Sequence, residues 1–194
     1  YLAAVESVNA WHADKYWFIL RADGKYWPCS ACPQLTMLSE LGDWKKKLYW
    51  WGHMFLLSLK VIQESKKSLD IDPANFGYQP SQDRAYYVGD KVYSVGSVRE
   101  VGRAILRRLP EEEEIPEDKW HTFGLFLNQL FHPLMTSRYD WEALTNGADD
   151  IPLARHFYYK KEALIKGLLK ERDYVYSNNG SGNHHHARRP RSYS

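Results

Sequence analysis

Leu69-Asp70-Ile71-Asp72-Pro73-Ala74-Asn75-Phe76 sets two carboxylates, a proline and an amide side by side. Pro73 bars a regular helix through the stretch and stiffens it as a turn. Asp70 and Asn75 stand five residues apart, and a further acid, Asp90, comes about one hairpin later. If that hairpin closes, Asp90 returns beside Asn75, and two oxygen ligands so placed can share a metal. The competing reading is that Asp70, Asp72 and Asn75 are turn formers and caps. A calcium-binding EF-hand loop fits poorly, because it needs Gly at its sixth position and Glu at its twelfth. Those positions hold Asn75 and Ser81.

The residues on either side frame this loop. Upstream, Trp44, Leu48, Trp51, Phe55, Leu59 and Ile62 recur at steps of three and four, which predicts a helix of about twenty residues. Tyr49, Trp50, Met54, Leu56, Leu57 and Val61 widen the stripe, as expected of a helix buried on most sides. Asp43 is placed to cap it, and Lys45-Lys46-Lys47 read as a solvated first turn where the helix dipole disfavours them. Downstream, Phe76-Gly77-Tyr78 and Ala85-Tyr86-Tyr87-Val88 are expected to pair as a hairpin around Pro80–Arg84.

Further from the loop the patterns are simpler. Leu2, Val5, Val8 and Trp11 recur every three residues and read as one face of a short helix over 2–12. Tyr16–Leu20 and Lys25–Trp27 flank an Asp23-Gly24 hairpin signal, and Pro28 and Pro33 are expected to end regular strand there. Cys29-Ser30-Ala31-Cys32 is a C-x-x-C, the spacing of half a zinc site or a redox pair. No second ligand pair accompanies it in the folded part, and ordinary linker residues are the simpler reading. Residues 98–109 form an amphipathic helix, and Glu111–Glu114 read as a solvated acidic loop. Further helices are expected near 117–130, around Asp140–Leu144 and from Leu153 to Glu171. The histidines are scattered and read as structural. After Asp173 the composition turns to Ser, Asn, Gly, His and Arg, a tail expected to be disordered.

Composition bounds the function classes. The chain has 194 residues, enough for one good core or a large and a small lobe. A formal charge of +2 predicts no general affinity for nucleic acid. No apolar run reaches the ~18 residues that span a bilayer, and no signal peptide is visible. With two cysteines a disulfide-stapled secreted domain is not expected, so the chain reads as soluble and cytoplasmic. It opens on Tyr1 without an initiator Met and reads as cut at its N-terminus.

The loop resembles the catalytic loop of protein-kinase-like enzymes, D-L-x-x-x-N, and most closely the D-L-H-P-G-N form of aminoglycoside-phosphotransferase-like and other atypical kinases. Glu117-Asp118-Lys119-Trp120-His121-Thr122-Phe123-Gly124 resembles the D-x-W-S-x-G opening of the large-lobe central helix in the same fold. The resemblance covers roughly residues 1–131. It departs from the family at Ser68 and Leu69, which stand where His and Arg or Gly precede the catalytic Asp. It departs again at Gly89, which pushes Asp90 one place beyond the usual metal-binding position. Either a bulge re-aims Asp90 or the metal-binding Asp is lost. Between Trp120 and Gly124 there is one residue more than in the family pattern.

The resemblance implies an α+β, mostly helical fold: a kinase-like large lobe (36–173) behind a truncated small-lobe remnant of helix, hairpin and hinge (1–35), with the tail at 174–194. It implies transfer of the ATP γ-phosphoryl group to an unknown hydroxyl acceptor, on a protein or a small molecule. Asp70 would be the catalytic residue, orienting and deprotonating the acceptor, with Asp72 as the alternative in a shifted register. Asn75 and Asp90 would hold Mg2+, and Asp118 would brace the loop. Two other classes stay open: an inactive pseudokinase or adaptor, and a helical protein-interaction module.

Overall fold

The apolar repeat that begins at Trp44 folds as a 22-residue helix, α1 (Trp44–Ser65), in a computed structural model that describes residues 9–112, 115–149 and 151–179. Asp43 caps it, its carboxylate accepting the Lys45 N–H at 2.9 Å. Lys66 ends it in the left-handed region (φ 59°), with its N–H on the Ile62 carbonyl. Trp51, Met54, Phe55, Leu59 and Val61 are at most 2% exposed, and burying each such side chain is worth about 1.5–3 kcal/mol. Lys47 departs from the expected solvated turn. It lies over the Trp51 ring and pairs with Glu112 at 2.6 Å, both side chains being largely buried.

Three small antiparallel sheets accompany α1 among the described residues. Strands β1 (Tyr16–Ala22) and β2 (Lys25–Ala31) form a hairpin on the two-residue turn Asp23-Gly24. Both turn residues have positive φ (51° and 73°), the primed turn that matches strand twist. The expectation that Pro28 ends the strand is corrected: β2 runs through it to Ala31. The register explains why. Ala22 and Lys25 close the turn as a hydrogen-bonded pair, so alternate pairs leave Pro28, opposite Ile19, at a non-hydrogen-bonded site where a missing N–H costs nothing. The predicted helix over 2–12 is also not seen in its described part, since Asn9–Trp11 form a turn and bend. The Ala10 carbonyl is drawn off instead by the Tyr87 N–H at 2.8 Å. The rest of that expectation lies outside the described residues.

Strands β3 (Thr36–Met37), β5 (Phe76–Gln79) and β6 (Arg84–Tyr87) form the second sheet, and β4 (Ser68–Leu69) pairs with β7 (Val92–Tyr93). The expected hairpin is therefore present, with Phe76 opposite Tyr87.

Among the described residues four further α-helices make the fold a mostly helical α+β one: α2 (Val98–Glu111), α3 (Glu117–Phe131), α4 (Arg138–Asp149) and α5 (Tyr158–Asn179). They pack in two pairs. Gly124 of α3 meets the Leu164 carbonyl of α5, and Gly167 meets the His121 carbonyl, so neither site has room for a Cβ. Gly102 and Gly147 make the same reciprocal approach between α2 and α4. Helix α5 extends through the first residues of the stretch expected to be a tail, whose remainder from 180 lies outside the described residues. No described helix is long and apolar enough to cross a membrane.

Candidate functional site

The loop that succeeds α1 is built on its own backbone. Leu69, 2% exposed, anchors it in the core, and pairing of Leu69 with Val92 sets the residues after Asp90 beside those before Asp70. The Asp72 N–H donates to the Asp70 carbonyl and the Asn75 N–H to the Asp72 carbonyl. The Asp72 carboxylate caps the short Pro73–Asn75 turn by accepting the Ala74 N–H at 2.9 Å. Asp72 is thus a cap, the structural role open to it in the sequence. Asn75 turns its Nδ2 towards the Asp70 carbonyl at 3.4 Å. With Nδ2 so directed, Oδ1 is the end of the amide suited to a cation.

The second acid reaches this loop just past the end of the β5–β6 ladder. Beyond the Phe76–Tyr87 pair, both the Val88 and Gly89 N–H groups donate to the one Asn75 carbonyl, at 2.8 and 3.3 Å, a bulge-like arrangement. Two residues facing one is the geometry that kinks a strand and re-aims the next side chains along it. Gly89 is needed there for space: a Cβ would lie 2.6 Å from the Tyr87 hydroxyl. That hydroxyl donates to the Lys91 carbonyl at 2.7 Å and receives the Asp70 N–H at 3.4 Å. Burial raises its pKa well above the ordinary tyrosine value, so it stays protonated and ties the two acidic segments together.

Asp90 itself is held by the N-terminal elements. Lys15 Nζ lies 2.7 Å from Asp90 Oδ1 and also donates to the Val88 and Gly89 carbonyls, at 2.7 and 3.1 Å. Its side chain is 1% exposed and runs between the Trp11 and Trp17 rings, with Nζ 5.8 and 5.1 Å from their centroids. Such contacts stabilise a desolvated cation. Trp11 Nε1 donates to the Gly89 carbonyl, and Trp17 Nε1 and the Ser30 hydroxyl donate to the Asp90 carboxylate. Burial by itself would raise the Asp90 pKa, but the Lys15 ammonium, with Ser30 and Trp17, pulls it below the usual carboxylate range. Asp90 is therefore ionised at neutral pH while its side chain stays half exposed.

On the far side of the loop, Asp70 lines an open cleft of about 460 Å³ between the β4–β7 pair and α2. Hydrogen bonds from Val88 and Gly89 to Asn75, and through Tyr87 from Lys91 to Asp70, thus link the segment around Asp90 to the Asp70–Asn75 loop, while the cleft that Asp70 lines includes neither Asn75 nor Asp90. Asp118 does not brace it. Its carboxylate is 67% exposed and bonds Lys119 at 2.6 Å, because the first turn of α3 faces outward. Lys15, Trp17, Ser30 and Tyr87 are the contributors that sequence patterns did not single out. A lone lysine among Trp11, Tyr16 and Trp17 is the one local signal. Cys29 and Cys32 are free thiols on and just after β2, not at a helix start. Among the described residues no group of three or more His, Cys, Asp or Glu could hold a metal ion.

Comparison with protein-family models, curated proteins and solved structures gives no match.

Proposed function

We propose that the loop and bulge form a kinase-like phosphotransfer site, moving the ATP γ-phosphoryl group to a hydroxyl acceptor. The observation that carries this reading is the shared Asn75 carbonyl, which binds the N–H groups of Val88 and Gly89 and so fixes the Asp90 turn to the Asp70–Asn75 loop. The pairing of β4 with β7 supports it, since it brings the segment after Asp90 to the entrance of the same loop.

In this reading Asp70 accepts the acceptor's hydroxyl proton as its oxygen attacks phosphorus and the bond to the bridging oxygen of ADP breaks. Asn75 Oδ1 and the Asp90 carboxylate would hold magnesium. One carboxylate and one amide suit a cation that takes its other ligands from phosphates and water. Magnesium supplies charge neutralisation on the phosphate oxygens. The fit rests on two features of the loop and bulge: an amide whose Nδ2 is already engaged, and a carboxylate kept ionised. Lys15 is a positioning residue that fixes the Asp90 turn.

The Lys15 contact also favours a second reading. An ammonium at 2.7 Å competes with a metal for Asp90, as in a binding protein that keeps the arrangement without the chemistry. Calorimetry of Mg-ATP binding separates the two. Magnesium-dependent binding that is lost in Asp90→Ala supports phosphotransfer. ATP that fails to bind to the folded wild-type chain supports the non-catalytic reading.

A further inference from the structure

The hairpin of β1 and β2 offers one open edge and one closed one. We propose that a second copy of this chain pairs antiparallel with the outer edge of β1, centred on Ile19, so that two two-stranded sheets become one of four strands. The inference is independent of the phosphotransfer reading.

Exposure singles out this hairpin. Tyr16, Phe18, Leu20, Tyr26 and Trp27 are all exposed, and Ile19 at the centre of β1 is 71% exposed. A contiguous apolar surface of this kind marks an interaction site. Hydrogen bonding then chooses the edge. In an antiparallel pair, residues at non-hydrogen-bonded sites turn their N–H and C=O groups outward. Counted from the Ala22–Lys25 pair, these are Trp17, Ile19 and Arg21 on β1 and Tyr26, Pro28 and Ser30 on β2. Pro28 has no N–H to offer and stands in the middle of the β2 edge, which closes that side to a further strand. Strand β1 carries neither proline nor bulge. Among the described residues no backbone group pairs with the outward groups of Trp17, Ile19 or Arg21.

The occupant is read from how β1 matches itself. With a two-fold axis at Ile19, the isoleucines of the two copies face each other and Trp17 faces the partner's Arg21, a pairing the axis repeats. All three outward positions are then hydrogen-bonded, whereas sliding the copies either way leaves one of them unpaired. On the opposite face Phe18 meets the partner's Leu20 and extends the row formed by Leu20 and Trp27. Arg21 is the one charged residue of β1, and its guanidinium already lies 5.6 Å from the Tyr26 ring centroid. The two-fold pairing sets it beside an indole rather than a like charge, a favourable cross-strand neighbour. This self-complementarity selects a second copy over an unrelated strand.

Analytical ultracentrifugation of the full chain tests the proposal. Ile19→Pro removes the central outward N–H, as Pro28 does on β2, and spares the β1–β2 ladder. Ile19→Lys sets like charges on the axis at an exposed site. The expected result is a concentration-dependent dimer whose dissociation constant rises at least tenfold in both variants, with unchanged circular dichroism. Cross-linking gives a readout that does not depend on disruption. In a Cys29→Ser/Cys32→Ser background, Ile19→Cys places two thiols directly opposite, with Cα atoms about 5.5 Å apart and within disulfide reach. Leu20→Cys places them diagonally, about 7–8 Å apart and beyond it. Mild oxidation should therefore link the Ile19→Cys chains and not the Leu20→Cys chains. A monomer at every concentration overturns the proposal and leaves the β1 edge to a strand of another protein. A dimer that both Ile19 variants leave intact, equal linking at Leu20, or growth into open polymers overturns this interface.

Discussion

The Lys15 ammonium lies 2.7 Å from Asp90 Oδ1 across 75 residues of chain, and only the carboxylate side of that pair meets solvent. The asymmetry makes an unequal prediction for the two partners. Removing Asp90 leaves a buried charge with no counter-ion, held by the Val88 and Gly89 carbonyls and the Trp11 and Trp17 rings alone, and poorly compensated buried charges cost several kcal/mol. Asp90→Ala is expected to destabilise by about 2–3 kcal/mol, at or below the low end of the cost for a fully buried pair because the Asp90 side chain is half exposed. Lys15→Met keeps the stem between Trp11 and Trp17 and leaves the half-exposed Asp90 carboxylate with its Ser30 and Trp17 donors, so its cost should be about 1 kcal/mol or less. Urea unfolding of both variants checks the order, and equal costs would contradict it.

The same pair sets a pH dependence. Asp90 has a lowered folded-state pKa, so its contribution is present above the unfolded aspartate value of about 3.9 and fades as pH falls through the lowered folded value. The stability difference between wild type and Asp90→Asn should therefore be constant above about pH 5 and shrink below about pH 4. Unfolding curves between these limits test the sign. A difference that grows on acidification would contradict the assignment.

Gly89 predicts a steric effect. A methyl group there would meet the Tyr87 hydroxyl at 2.6 Å and its ring carbon at 2.7 Å, forcing Tyr87 away from Lys91 and Asp70. Overpacking of this kind costs about 1–3 kcal/mol. Gly89→Ala should fall in that range by denaturant unfolding and should also shift the Asp70 and Lys91 amide signals. A neutral substitution would show that the bulge tolerates a side chain.

Where α3 crosses α5, Gly124 and Gly167 each face a backbone carbonyl that cannot swing aside as a side chain would. Gly124→Ala and Gly167→Ala are each expected to destabilise by about 1–3 kcal/mol. Because either methyl forces the same separation of the two helices, the double variant should cost less than the sum. Additive costs would mean that the two approaches are independent.

Local regularity was legible in the sequence and long-range partnership was not. The three-four spacing from Trp44 carries α1, Asp43 carries its cap, and Asp23-Gly24 carries the first hairpin, each signal complete within a few residues. Pro28 misled because its effect depends on register, and only the pairing with Ile19 shows that its absent N–H faces away from the ladder. The helix read over 2–12 gave way in its described part to contacts 77 residues away, where Tyr87 takes the Ala10 carbonyl. At the site, the five-residue spacing of Asp70 and Asn75 and the extra residue Gly89 before Asp90 were readable as patterns. Lys15, Trp17 and Ser30 were not, because nothing near them in sequence marks Asp90 as their partner.

In the proposed phosphotransfer site Asn75 and Asp90 would hold one metal together with ATP. Manganese substituted for magnesium tests it directly, because its unpaired electrons broaden nearby amide signals. With ATP present, substoichiometric Mn2+ should broaden Asn75, Gly89 and Asp90 first, and Asp90→Ala should abolish that pattern. Broadening centred elsewhere, or an identical pattern in the variant, would contradict the account.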